Sequence, residues 1–164
     1  MTEKEEYFKQ VYEQSKDKVY RLCLGFMGNT SDAEDLFQEV LIKIWNNLDK
    51  FRKDSNVNTW IYRIATNTAL NYLKSKSRER EHSRDFNSVE LSSMPTESSS
   101  FDKEQKIRQL YQEIAGLKEI EKIIISLVLD NCSYSDIAEI TGLSSSNVGV
   151  RINRIKKTLS KKLN

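Results

Sequence analysis

Apolar residues recur at intervals of three and four through most of this chain, the spacing that keeps one side of an α-helix buried. Phe8, Val11, Tyr12, Val19, Leu22, Cys23 and Phe26 predict a long first helix over residues 5–27, closed by Gly28-Asn29. Ala33, Leu36, Phe37, Val40, Leu41, Ile44 and Leu48 predict a second over residues 32–48. Ser31 or Asp32 is its expected cap, and Ser31 has Glu34 three residues on, the capping-box pattern. Residues 51–58 are polar and lack helical period, as a loop would be. Trp60, Ile61, Ile64, Ala65, Thr68, Ala69, Tyr72 and Leu73 then predict a third helix from Trp60 to about Arg80, capped by Asn58 or Thr59.

The period collapses between Arg84 and Ser100, where five serines from Ser92 onward and the only proline, Pro95, describe a flexible linker. It resumes with Ile107, Leu110, Tyr111 and Ile114, then with Ile120, Ile123, Ile124, Leu127 and Val128. The expected fold is all-α: two small helical domains, residues 1–82 and 104–164, joined by a linker over 83–103 that permits many arrangements.

Residues 133–164 carry the most specific pattern. A short helix with Ile137, Ala138 and Ile140 inward is followed by Thr141-Gly142-Leu143, and Gly142 supplies the left-handed backbone that a tight turn between helices needs. Ser144 is placed to cap a second helix, which buries Val148, Ile152, Ile155 and Leu159. Ser145, Ser146, Asn147, Arg151 and Arg154 are left facing outward, as a recognition helix presents polar groups to base edges and phosphates. A solvated basic helix would show the same charge but has no need of the short helix, glycine turn and serine cap in that order.

Composition changes the picture only through its distribution. The net charge is +2. Residues 58–84 and 133–164 each hold six bases and two acids, whereas residues 1–57 and 85–132 are net acidic. Two separated basic segments fit a protein that touches one polyanion at two places. In the third helix Arg63, Thr66, Asn67, Asn71, Lys74, Lys76 and Arg78 fall opposite the apolar stripe, beside a loop carrying Arg52, Lys53, Asn56 and Asn58; amides and bases on one face suit bases and phosphates. No apolar run approaches the ~18 residues of a membrane span, and no signal-peptide pattern opens the chain. Cys23 and Cys132 are too few for a disulfide framework or a zinc site and are expected as buried thiols of a cytoplasmic protein. His82 is the only histidine, and no phosphate loop or catalytic cluster appears, so neither an enzyme nor a metal or cofactor is expected.

Together these features resemble the small bacterial sigma factors of the extracytoplasmic-function (ECF) group, subunits that direct RNA polymerase to promoters. Asp32-Ala-Glu-Asp-Leu-Phe-Gln-Glu-Val-Leu-Ile-Lys-Ile-Trp45 looks like the helix of sigma region 2 that docks on the β′ clamp helices of the polymerase core. The resemblance implies that Asp35, Gln38, Glu39 and Lys43 face the core. This would explain Gln38 and Glu39, which lie too deep in the helix to serve its amino-terminal dipole. Thr59-Trp-Ile-Tyr-Arg-Ile-Ala-Thr-Asn-Thr-Ala-Leu-Asn-Tyr-Leu73 is similar to the segment that opens and reads the minus-10 element, with the preceding loop capturing a flipped base. Arg52, Lys53, Asn56, Asn58, Arg63, Asn67, Asn71, Lys74 and Arg78 are its implied contacts. Residues 117–162 resemble region 4, which reads minus-35; its implied contacts are Ser135, Ser144, Ser145, Ser146, Asn147, Arg151, Arg154, Lys156 and Lys157. Leu117-Lys118 stands where the family commonly has Leu-Pro, so a softer helix start is expected there. The implied partners are the polymerase core, through its β′ clamp helices and β flap, promoter DNA and an anti-sigma factor, with no C-terminal regulatory extension and no insertion into membrane. The competing function is a stand-alone helix-turn-helix regulator, which has no need of an acidic docking face followed by a basic, amide-rich helix.

Overall fold

The computed structural model describes residues 1–51, 56–83 and 98–164, the side chains of 76–83 and 98–101 excepted. Among the described residues there are seven α-helices and no strand: α1 (Glu3–Met27), α2 (Thr30–Asn47), α3 (Val57–Ser83), α4 (Ser98–Ala115), α5 (Glu119–Leu129), α6 (Tyr134–Thr141) and α7 (Ser145–Leu163). A 3-10 turn, Leu48–Lys50, follows α2. The expected linker falls mainly on residues 84–97, outside those described, and α4 begins at Ser98.

The first three helices pack around Val19, Leu22, Phe26, Leu36, Val40, Ile44, Ile61, Ala65 and Ala69, the apolar stripes that spacing had predicted. The last four gather Ile114, Ile124, Leu127, Ile137, Val148, Ile152 and Ile155. The two domains also touch each other. Helix α1 packs on α4 and α5, α3 packs on α6, and the buried side chains form one continuous core. Nothing in the periodicity announces this joint, because a helix stripe does not say which distant helix covers it.

Helix starts moved in the same direction twice. The cap of α2 is Asn29, not Ser31 or Asp32: its side chain accepts from the Asp32 N–H at 2.9 Å. At α3, Asn56 rather than Asn58 or Thr59 takes that role, its Oδ1 accepting from the Asn58 N–H at 2.9 Å. In both places the sequence offers several nearby capping residues, and the one used lies two or three residues before those expected. Ile107 is 53% exposed and lies outside the core, while Thr66, expected outward, is buried with its hydroxyl donating to the Arg63 carbonyl. Helix α5 begins after Lys118, which offers no side-chain cap.

Candidate nucleic-acid interface

The helix-turn-helix is built by three local devices. Ser133 caps α6 by accepting from the Asp136 N–H at 3.0 Å, and Ser144 caps α7 by accepting from the Asn147 N–H at 3.1 Å. Between them Gly142 closes α6 at φ 81°, its N–H donating to the Ala138 carbonyl at 2.8 Å. Each serine cap contributes about 1 kcal/mol, and a Cβ at Gly142 would strain the turn. Val148, Ile152, Ile155 and Leu159 are buried, which fixes the rotation of α7 about its axis.

That rotation leaves Ser144, Ser145, Ser146, Asn147, Arg154, Lys156 and Lys157 exposed, with Ser135 exposed on α6. Arg151 is half-buried and its Nε donates to Asn147 Oδ1 at 2.9 Å. The two residues read as base contacts are therefore tied together one turn apart, which holds the guanidinium in a defined direction. No acidic residue lies on α7, so this flank presents uninterrupted positive charge to a phosphate backbone.

The second candidate surface, along α3, is divided. Asn67, Asn71 and Lys74 are exposed. At its N-terminal end Arg63 is turned onto α6, its Nη2 donating to the Glu139 carbonyl at 2.9 Å and its Nε at 3.3 Å. Asn56 and Asn58 line a polar cavity of about 130 Å³ shared with Lys18, Tyr62, Asp130 and Asp136. Arg52 and Lys53 lie outside the described residues, as does the side chain of Arg78. Phe51 packs on Trp60 with ring centroids 4.9 Å apart, anchoring the end of the loop that precedes α3.

On α2, Asp35, Gln38, Glu39 and Lys43 are all exposed on the face opposite Leu36, Val40 and Ile44. Ile42, 52% exposed, joins the same face one turn beyond Gln38 and Glu39, and spacing alone did not single it out. None of these four polar groups contacts the second half of the chain in any described interaction.

Sequence reasoning missed the polar centre of the joint. The Asp130 carboxylate, with its side chain only 2% exposed, accepts from Arg21 Nε at 2.7 Å and from the Tyr62 hydroxyl at 3.4 Å. The hydrogen bond to Asp130 raises the Arg21 pKa, and burial, then the Asp130 charge, pushes the Tyr62 phenol up strongly. Burial raises the half-buried Cys132 thiol beside them and holds Cys23 at about 12, so both resist ionisation. Asp130-Asn131-Cys132 reads in sequence as a turn, and Arg21 as one more helix-surface base; only the fold brings them together.

Among the described residues, no helix is long and apolar enough to cross a membrane, and no cluster of His, Cys, Asp and Glu could hold a metal ion. Residues 11–79 match the model of Sigma-70 region 2, and residues 107–159 that of Sigma-70, region 4. The chain is 36% identical over 146 residues to the ECF RNA polymerase sigma-E factor of Escherichia coli strain K12, covering 82% of this chain and 75% of the relative. It is 28% identical to the ECF RNA polymerase sigma factor SigW of Bacillus subtilis strain 168, covering 95% and 88%. In fold it is similar to the sigma factor RpoE solved with the anti-sigma factor NepR from Bartonella quintana, at a TM-score of 0.79 and 24% identity over 95% of this chain and 96% of that one. CnrH, solved with the cytosolic domain of CnrY, matches at 0.65 and 19% identity over 97% and 88%.

Proposed function

The chain belongs to the ECF group of the sigma-70 family, and from that membership we infer how its surfaces divide the work. It is a sigma factor: it directs promoter-specific, DNA-templated transcription initiation, and the stand-alone regulator is set aside. In our assignment α7 reads the minus-35 element in an intact major groove. Asn147 and Arg151 meet base edges, supported by Ser135, Ser144, Ser145 and Ser146; Arg154, Lys156 and Lys157 meet phosphates. Helix α3 opens and reads minus-10 through Asn67, Asn71, Lys74 and Arg63, with the loop that includes Asn56 and Asn58 receiving an extruded base. The exposed face of α2 docks on the β′ clamp helices through Asp35, Gln38, Glu39 and Lys43, and the region 4 module meets the β flap. An anti-sigma factor is the expected regulator, in keeping with the neighbour solved in such a complex, and the site of action is the cytoplasm.

The observation that carries this division is the capped helix-turn-helix, with an acid-free basic flank, following an exposed acidic face on α2 in one chain. Its work is binding, positioning and strand opening, none of which needs a cofactor. Run-off transcription with purified core polymerase tests it. A promoter-specific transcript is expected, together with weak binding of the isolated chain to promoter duplex. Tight, specific duplex binding without any transcript would overturn the assignment. Charge reversal at Asp35 or Glu39 is expected to weaken polymerase binding with the fold intact, because both side chains are exposed and lie outside the hydrophobic core.

A further inference from the structure

Val150 is 50% exposed on α7, a helix whose other exposed residues are all polar. A single apolar side chain on a surface is ordinary and asks for no explanation by itself. Its direction does. Val148, Ile152, Ile155 and Leu159 are buried and fix which side of α7 meets the core. At ~100° per residue, Val150 points within ~10° of the direction opposite their mean, whereas Asn147 lies ~70° and Arg151 ~110° from that direction. Val150 therefore stands on the ridge of the exposed face. Arg151 lies down its flank, half-buried and bonded to Asn147. Ser146, Asn147, Asn153 and Arg154, all exposed, surround Val150 three and four positions away, where neighbours on one helix face lie.

Valine does not serve the helix itself, because its branched side chain loses rotamer freedom there. The preceding position, Gly149, carries no side chain. A Cβ there would meet the Tyr134 ring of α6 at 3.4 and 3.7 Å, so the ring lies against bare backbone and nothing long at 149 competes with Val150 for a groove. A helix lying in a major groove ~12 Å wide and ~8.5 Å deep brings its outermost ridge nearest to the base pairs. On this ridge the side chain ends in two methyls and offers no donor or acceptor. Of the groups that bases present in the major groove, the C5 methyl of thymine is the apolar one. A polar base edge facing Val150 would lose water and gain no hydrogen bond in return. A thymine methyl would instead be buried against methyls, a gain of about fourfold in affinity.

We propose that Val150 is a specificity-determining residue, reading the C5 methyl of one thymine within the minus-35 element. This rests on the assignment of α7 to that element. The polar side chains around Val150 choose bases by hydrogen bonds, and Val150 chooses by shape and apolar contact alone. One position of the element therefore prefers thymine, and there 5-methylcytosine is favoured over cytosine.

The test uses holoenzyme reconstituted from the full chain and core polymerase. A promoter library with a randomised minus-35 element is selected for binding. In the selected promoter each thymine of either strand is then replaced by deoxyuridine, which lacks only the methyl. The wild type is expected to lose about fourfold in affinity at one of them. Val150→Ser, which removes the apolar contact at an exposed position, is expected to bind thymine and uracil there alike. Val150→Thr, close in shape with one methyl left, is expected to fall between. With cytosine placed at the same position, C5 methylation is expected to restore about fourfold to the wild type and nothing to Val150→Ser. Circular dichroism checks that the helices of both variants persist. Uracil tolerated at every thymine, a selected element without thymine, or an equal uracil penalty for the wild type and Val150→Ser would overturn the methyl reading and leave the sigma assignment standing. A holoenzyme that selects no element at all would overturn both.

Discussion

Helices α3 and α7 are assigned the same broad task, and the fold treats them in opposite ways. The N-terminal end of α7 is capped by Ser144 and presents Ser145, Ser146 and Asn147 to solvent, so its reading face is complete when the chain is alone. The N-terminal end of α3 is engaged by the second half of the chain: Arg63 is bonded to α6, Tyr62 is buried against Asp130, and Asn56 and Asn58 line a polar pocket open to solvent. In our assignment the difference matches what each helix would meet. A closed major groove can be approached by a preformed helix, whereas a base must first leave the stack before it can be captured.

The sharpest way to break this contrast is a pair of substitutions scored on two templates. Arg151→Ala removes a base contact of ~1–3 kcal/mol, with preference relaxed at one minus-35 position. Its defect is expected to persist on a template whose minus-10 region is already melted. Asn71→Ala leaves minus-35 discrimination unchanged and impairs opening, so pre-melting restores much of its activity. Permanganate footprinting beside a panel of minus-35 variants reads both. Identical defects for the two variants, or rescue of Arg151→Ala by the bubble, would end the division of labour.

What could be read from the sequence follows the same contrast. Every device of the helix-turn-helix is local: Ser144 lies three residues from the amide it caps, and Gly142 four from the carbonyl it meets. Val148, Ile152, Ile155 and Leu159 announce their burial by spacing alone, and the exposed face of α7 follows by subtraction. On α3 the subtraction misleads, since Thr66 is buried and Arg63 is engaged by a residue 76 positions away. Asp130 and Arg21 are separated by 109 positions, and nothing in either neighbourhood marks them as partners. Caps were misplaced for a smaller reason, because Asn29 and Asn56 each precede other residues of equal capping ability.

A finer contrast concerns phosphate. Lys156 and Lys157 sit on duplex in this assignment, so each lost contact flattens the log–log salt slope by about 0.9. Lys74, exposed on α3, would track a single strand, where the same loss is worth about 0.7. Holoenzyme binding, measured over a salt series on a minus-35-only duplex, is expected to respond to Lys156→Ala and Lys157→Ala but not to Lys74→Ala. On a fragment with a melted minus-10 region, all three respond. A Lys74 effect on the minus-35 duplex would show that α3 also grips closed DNA.

The smallest expected effect comes from Lys122, which ties α5 to the first module. Helix α1 has no basic residue in its last turn, and Lys122 reaches across from α5 to donate to the Phe26 carbonyl, where a cation opposes the helix dipole. Burial nevertheless lowers the Lys122 pKa, more than the nearby Glu119 charge raises it, so desolvation outweighs the attraction. The sign follows from linkage: with the folded value below the unfolded one, the unfolded chain binds more protons between the two, and stability rises with pH across that window. The penalty is full below the lowered value and gone above the ordinary 10.5. Thermal melts of the wild type and Lys122→Met from neutral pH to 10.5 isolate this contribution. The wild type is expected to gain on the variant as pH rises, by a small margin, because the amine loses its charge while Met never carried one. A difference that stays flat would mean that Lys122 is solvated, and that the joint between α5 and α1 is looser than the one contact at Phe26 implies.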